Sequence, residues 1–381
     1  MPNSRKTALI LGDGASGTIM ANKLRFHSDL RQLEIKVVGN SPAHYFKPDG
    51  VMIPFGFKDH SKSVKPTQFL FNHGVEYIRD TVTSIDVQNH KVKTINSGEI
   101  GYDYLFIATG DRFATDDLPG YDKAAQHFYS LDGALRLKEK LAEFKGGKIV
   151  VGQASIPIQC PPAPYEFTFQ LEQYLKLKGL REKTEIHYIY PLNRVFTMPN
   201  VSTFIEKLMD EKGIVVHKMF NVDSLDPDSK TLSSLEGEQI PFDLLILVPP
   251  HKGQKVITES GLADENGYID VDRNHLNYRD YDNVFVVGDA TNLPISKAGA
   301  TAHFESEYLA NRIASEVNGN AFFESYNGEV ACTTITGGQQ AITLFFSYNK
   351  PPRANFQSKS DYFLKWTSSD TYFSAMLRGI M

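Results

Sequence analysis

The chain has 381 residues, 41% of them hydrophobic and 22% charged, with a formal net charge of −5 at pH 7. Its 25 Phe and 18 Tyr give enough apolar surface to offset chain entropy, so a disordered or low-complexity class is excluded and the length suits two or three domains. The charge gives no general electrostatic reason for binding nucleic acid, and none is expected as a partner.

The start, MPNSRKTALILG, passes from a few polar residues straight into a short strand, Ala8 to Leu11, without a cleavable signal of the usual length, which predicts a cytoplasmic chain. The strand meets Gly12-Asp13-Gly14-Ala15-Ser16-Gly17, then a helical pattern through Ile19, Met20 and Leu24, and Ile35 to Val38 completes a βαβ unit. In that context the glycines predict a dinucleotide site. Gly12 permits the tight turn, Gly14 lets backbone approach a pyrophosphate, and Gly17 lets the helix pack close to the strand. The helix N-terminus then presents free N–H groups to phosphate. The second strand ends in Gly39-Asn40-Ser41 with no carboxylate for a ribose, leaving Asn40 as a weaker hydroxyl partner.

From Tyr77 to Ile95 short alternating strands read as a meander, and Tyr104 to Ile107 is a buried strand running into Ala108-Thr109-Gly110. A second α/β pattern follows, with strands near Ile149 to Gly152, Ile186 to Tyr190, Ile214 to His217 and Leu244 to Val248, and helices near Tyr165 to Leu177 and Val201 to Glu211. Leu244 to Val248 is the longest obvious apolar run and ends at Pro249-Pro250, far short of the ~18 residues of a spanning helix. Asn283 to Val287 then leads into Gly288-Asp289-Ala290 and a helix from Ala298 to Ala314. These elements predict an α/β fold with two Rossmann-like domains, the second inserted in the first. The expected boundaries are 1–115 with 268–320, then 116–267, then a C-terminal region 321–381. No short internal repeat is evident. The two cysteines, Cys160 and Cys332, are too few for a disulfide scaffold and lack the spacing of a metal site, so no metal is expected.

Together GDGASG, the ATG of residues 108–110 and the later Gly288-Asp289-Ala290-Thr291 resemble the two-dinucleotide-binding-domain, glutathione-reductase-like flavoproteins. The resemblance implies FAD, with Asp289 on the ribitol chain and the following helix aimed at the flavin pyrimidine, where its positive end suits an anionic reduced ring. Relatives that use NAD(P)H repeat a glycine fingerprint in the second domain. Here Gly152-Gln153-Ala154-Ser155-Ile156-Pro157 puts bulky Ile156 and Pro157 where glycines would be needed, which argues against NAD(P)H as donor.

The stretch Gln159-Cys160-Pro161-Pro162-Ala163-Pro164-Tyr165-Glu166-Phe167 is similar to the cysteine-bearing turn of sulfide:quinone oxidoreductases and of the flavoprotein subunit of flavocytochrome c sulfide dehydrogenase. Cys332, in Tyr326-Asn327-Gly328-Glu329-Val330-Ala331-Cys332, matches the family's second cysteine context. Lys297 and Gly299, within Pro294 to Ala300, match its Pro-Lys-x-Gly pattern near flavin and quinone. A third cysteine of many members is absent from Gln126 to Asp132, so FAD is expected to be non-covalent, and a histidine often found after the second domain's middle strand is not evident in Pro191 to Asn200. The resemblance implies oxidation of hydrogen sulfide to sulfane sulfur through a redox-active cysteine pair, with electrons passed to a membrane quinone. Hydrosulfide attack on a disulfide leaves one persulfide and one thiolate. Cys332 is assigned the thiolate facing the flavin and Cys160 the persulfide, although the sequence leaves that polarity open. Glu166 is either a proton relay or a helix-start acid favoured by the macrodipole.

A quinone partner implies peripheral contact with the membrane, on its cytoplasmic side. Within 358–381, Ser369 and Asp370 read as N-caps before Tyr372, Phe373, Met376, Leu377 and Ile380 at helical spacing. Tyr362, Phe363, Leu364 and Trp366 precede them, with Lys359, Lys365 and Arg378 nearby. This reads as an amphipathic segment in the headgroup region, against a helix docked on the protein's own core or in an oligomer interface. A type II NADH:quinone dehydrogenase, a flavocytochrome c sulfide dehydrogenase flavoprotein and a non-catalytic FAD-binding scaffold are the competing readings; homo-oligomerisation is left open.

Overall fold

Two parallel sheets organise the chain in the computed structural model, which describes residues 5–354 and 356–380. Residues 1–4 of the start read above for a signal, and Met381, lie outside the described residues. The first sheet runs Val284–Val286, Tyr104–Ile107, Lys6–Leu11, Leu33–Gly39, Val75–Arg79, all parallel. The strands are nearly continuous apolar runs because both faces are covered, as parallel sheets require. Tyr77 is thus in the fifth strand of this sheet and not in the meander, which comprises Val82–Asp86, Lys91–Thr94 and Glu99–Gly101.

The second sheet is built alike, in the order Ala125–Gln126, Leu244–Val248, Gly147–Gln153, Thr184–Tyr190, Ile214–Lys218. It has its own antiparallel meander, Val222–Asp226, Thr231–Ser234 and Gln239–Pro241, whose strands of 5, 4 and 3 residues match the first meander's. The two units repeat a design that their sequences do not repeat. Strand Val284–Val286 joins the first sheet only after the second is complete, pairing beside Tyr104–Ile107 and carrying Gly288 and Asp289 to the first strand's glycine turn.

Helix Ala163–Leu177 is buried almost all round, with Tyr165, Phe167, Phe169 and Leu171 fully enclosed. Each such side chain contributes about 1.5–3 kcal/mol of burial. The helix packs against an antiparallel sheet unforeseen from the sequence, Val330–Gly337, Gln340–Ser347 and Lys350–Ala354. Helix Lys359–Thr371 also packs on that sheet. Its N-cap is Ser358, which accepts from the Asp361 N–H at 3.0 Å. Ser369 and Asp370 therefore lie inside a helix rather than capping one, and a π-helical turn, Tyr372–Met376, follows.

Candidate active site

A cavity of about 760 Å³ opens where the first glycine turn, the 108–110 turn and Asp289 converge, and it extends to Cys160, Glu166 and Lys365. At Gly12, φ is +112° and a Cβ would lie 2.3 Å from the Ala108 carbonyl oxygen, so only glycine fits. A Cβ on Gly17 would meet the Gly12 carbonyl oxygen at 1.9 Å, the close helix–strand approach expected. Nothing lies within 4 Å of a Cβ at Gly14, which leaves open space on the cavity side. Ala15, Ser16, Asn40, Ala108, Thr109, Gly110, Asp289, Lys297 and Gly299 also line it. Gly288 backs the wall at φ +71°, its N–H donating to buried Glu305 at 2.6 Å, while burial pushes Glu305 up to about 8. Thr109 Oγ1 and Asp111 Oδ2 are buried without protein partners on this wall. The glycine cradle, the helix N-terminus at Ala15 and these unpaired polar atoms fit FAD.

The carboxylate missing from the end of the second strand arrives from elsewhere. Asp13, the residue between the two turn glycines, accepts from the Ser41 N–H at 2.9 Å and from the Tyr77 hydroxyl at 2.8 Å, and lines the cavity. A Cβ on Gly39 would collide with it at 2.4 Å, so Gly39 makes room for this acid. Asn40 is exposed and donates to Thr81 Oγ1 at 3.2 Å.

Cys160 and Cys332 come together although they sit on different elements. Cys160 is held at φ +44° in the turn before the buried helix; its N–H donates to the Lys297 carbonyl at 2.6 Å and its carbonyl accepts from the Tyr129 hydroxyl at 3.2 Å. Cys332 lies on strand Val330–Gly337, opposite Leu344. Both are free thiols, so the expected disulfide is not the state of this structure. Hydrogen bonding between the thiols, with burial, pushes Cys160 well above an ordinary thiol. The same contact draws Cys332 below one, with help from the Lys365 ammonium and against burial and Glu166. Of the two thiols, Cys332 is the one whose proton is held less tightly. Of the two cysteines, Cys160 lines the cavity, with Cys332 next to it on the neighbouring strand.

Glu166 is 1% exposed. Its Oε1 accepts from the Ile335 N–H at 3.0 Å, and the Lys365 ammonium lies 3.1 Å from Oε1 and 3.2 Å from Oε2. Burial raises its pKa and Lys365 opposes the rise. Lys365 donates as well to the Thr333 carbonyl at 3.0 Å, bridging the acid to the strand that carries Cys332. Lys365 is therefore an internal cation of the thiol cluster, not a basic flank of a lipid-facing helix. Lys297 is anchored on the cavity wall. Its ammonium donates to the carbonyls of Asp289 at 2.8 Å and Thr291 at 2.5 Å and lies 3.8 Å from the Tyr268 ring centroid, leaving one donor for a ligand.

The terminal apolar stripe is largely covered by the protein itself. Tyr372 and Leu377 are buried against Ile19 and Leu70, and Phe373 and Met376 pack beside them. The Tyr372 hydroxyl bonds His44 Nε2 at 2.8 Å, Ser369 Oγ donates to Asp49 at 2.8 Å, and Lys58 pairs with Asp370 at 2.7 Å. Among the described residues of the segment, Phe363, Leu364 and Ile380 are the exposed large apolar side chains. Among the described residues no helix is long and apolar enough to cross a membrane.

Residues 6–305 match the family described as pyridine nucleotide-disulphide oxidoreductase. Among curated proteins, the mitochondrial sulfide:quinone oxidoreductase of Mus musculus is 28% identical over 97% of this chain and 86% of its own length. The sulfide-quinone reductase of Aquifex aeolicus is 26% identical over 97% and 90%. The X-ray structure of the Aquifex aeolicus sulfide:quinone oxidoreductase superposes with a TM-score of 0.86 at 22% identity, covering 98% of this chain and 92% of that one.

Proposed function

Given that the chain belongs to the pyridine nucleotide-disulphide oxidoreductase family and is a flavin-dependent oxidoreductase, we propose that it oxidises sulfide to sulfane sulfur and delivers the electrons to quinone. The observation that carries the proposal is the meeting of Cys160, on the cavity wall, with Cys332, beside Glu166 and Lys365. The named relatives support the same reading.

In the oxidised enzyme the two thiols are joined as a disulfide. Hydrosulfide attacks the sulfur of Cys160, the cysteine lining the cavity; a new S–S bond forms, the Cys160–Cys332 bond breaks, and Cys332 leaves as thiolate. Exchange is faster when the leaving thiol has the lower pKa, and Cys332 is that thiol. Lys365 holds the negative charge, and Glu166 takes the proton of the attacking hydrosulfide. Gly12, Gly14, Ala15, Ser16 and Gly17 with Asp289 would hold FAD, which supplies two-electron acceptance between sulfide and quinone. Quinone is lipid-soluble, so the enzyme works as a peripheral membrane protein on the cytoplasmic side, with exposed Phe363, Leu364 and Ile380 toward lipid. The domains are taken as 1–115 with 268–320, 116–267 and 321–381.

The test is quinone reduction by the purified FAD-loaded chain with sulfide or NADH as donor. Sulfide is expected to drive it and NADH to fail, because Ile156 and Pro157 obstruct a second pyrophosphate site. Reduction by NADH alone would favour the type II dehydrogenase reading and overturn this one.

A further inference from the structure

One buried acid of the cavity remains outside the sulfur chemistry. Asp111 directly follows the 108–110 turn, on a short strand paired antiparallel with His251–Gly253. Its backbone carbonyl is pinned by Gln254 Nε2 at 2.9 Å. Its Oδ1 accepts from Gln159 Nε2, and Gln159 Oε1 accepts from the Lys47 ammonium at 2.9 Å. A lysine only donates, so the Gln159 amide is oriented without ambiguity and Oδ1 is an acceptor. Oδ2 is buried without a partner on the cavity wall. Gln159 is the neighbour of Cys160 in sequence, so this acid stands at the thiol end of the cavity.

The charges facing Asp111 are Asp289, Lys47 and Lys297. Tyr268 lies near both acids. The paired strand adds none, since His251 Nδ1 is bonded to the Pro249 carbonyl at 2.8 Å and Lys252 is paired with Asp117 at 2.6 Å. Two carboxylates share the cavity with two lysines that each already donate to protein oxygens, and further negative charge there favours protonating one of the acids. Reduction of a flavin brings such charge.

From this geometry we propose that Asp111 binds a proton at Oδ2 when the bound flavin is reduced, coupling the cofactor's potential to pH. One proton from solvent enters for each electron pair stored and leaves on reoxidation. Gln159 is the positioning residue, because its donor on Oδ1 favours the carboxylate and sets where the uptake occurs. The proposal rests on FAD occupying this cavity and not on sulfide as donor.

The experiment is the flavin reduction potential of the FAD-loaded full chain against pH, with mediators and dithionite rather than sulfide. In wild type the slope is expected to double over a limited pH window, where a second proton accompanies reduction. Asp111→Asn should give one slope throughout, and Asp111→Glu should restore the window. Gln159→Leu should move the window to higher pH. A wild-type line without a steep window overturns the proposal, as does Asp111→Asn keeping it. Should Asp111→Asn fail to retain FAD, an unchanged window in Gln159→Leu overturns it alone. A failed sulfide assay with an intact window would sink the sulfide reading and leave this inference standing.

Discussion

Lys365 shows what a single side chain does at this site. It sits against a carboxylate that is 1% exposed and two thiols, so its charge is balanced within the protein. Removing one partner of a buried ion pair leaves the other uncompensated, at about 3–5 kcal/mol. Lys365→Met is expected to lose stability of that order in urea unfolding, and the double variant with Glu166→Gln should lose less than the sum of the two. The same variant should raise the pH at which Cys332 becomes reactive to an alkylating agent, because the ammonium that favours its thiolate is gone. Cys160, Glu166 and the glycine turn were legible because each lies in a short local pattern. Lys365 was not, since its partner Glu166 lies 199 positions away and the lysine's own neighbourhood reads only as an apolar helix with a charge. Asp13 was missed similarly: the fingerprint directs attention to its glycines and leaves the intervening acid unassigned.

At the scale of elements, the glycine turn and the C-terminal helix make different demands. Gly12→Ala must place a Cβ 2.3 Å from a backbone oxygen at a positive φ, so it should lose more than about 1 kcal/mol and release FAD on ultrafiltration. The C-terminal helix and the turn after it close the cavity with Lys365 and Tyr372. A chain ending at Gln357 is therefore expected to lose flavin absorbance after gel filtration in the absence of any membrane; full retention would mean that the segment serves only as an external anchor. Helical spacing of apolar residues revealed an apolar face but not what covers it, and here much of the face at Tyr372 and Leu377 is covered by the chain's own first helix. The sheet of residues 330–354 escaped for another reason: its strands include Thr334, Thr336 and Thr343, buried polar residues that blur a strict alternation of apolar and polar positions.

Across the whole molecule, the parallel sheets were the most legible feature, because strands covered on both faces read as unbroken apolar runs. The same burial governs the response to pH. Burial holds His44, His127 and His303 down to about 4 and His251 to about 3, against 6.5 for an unburied imidazole. The unfolded chain binds protons at these sites first, so their stability contribution is complete above pH 6.5 and is lost as pH falls toward 4. Glu305, pushed up to about 8 from 4.5, acts in the opposite sense and costs stability as pH rises between those values. The thermal unfolding midpoint should therefore fall steeply on acidification below pH 6.5 and more gently toward pH 8.

The proposed sulfur chemistry would require both cysteines at once, since one would accept the attacking sulfur and the other depart. Anaerobic stopped-flow mixing of the FAD-loaded chain with sulfide, following the oxidised flavin band, compares wild type with Cys160→Ser and Cys332→Ser. Rapid bleaching in wild type and a loss of at least about a hundredfold in each variant are expected, in line with removal of a group that forms a covalent intermediate. Bleaching at the wild-type rate in either variant would contradict a paired-cysteine route from sulfide to flavin.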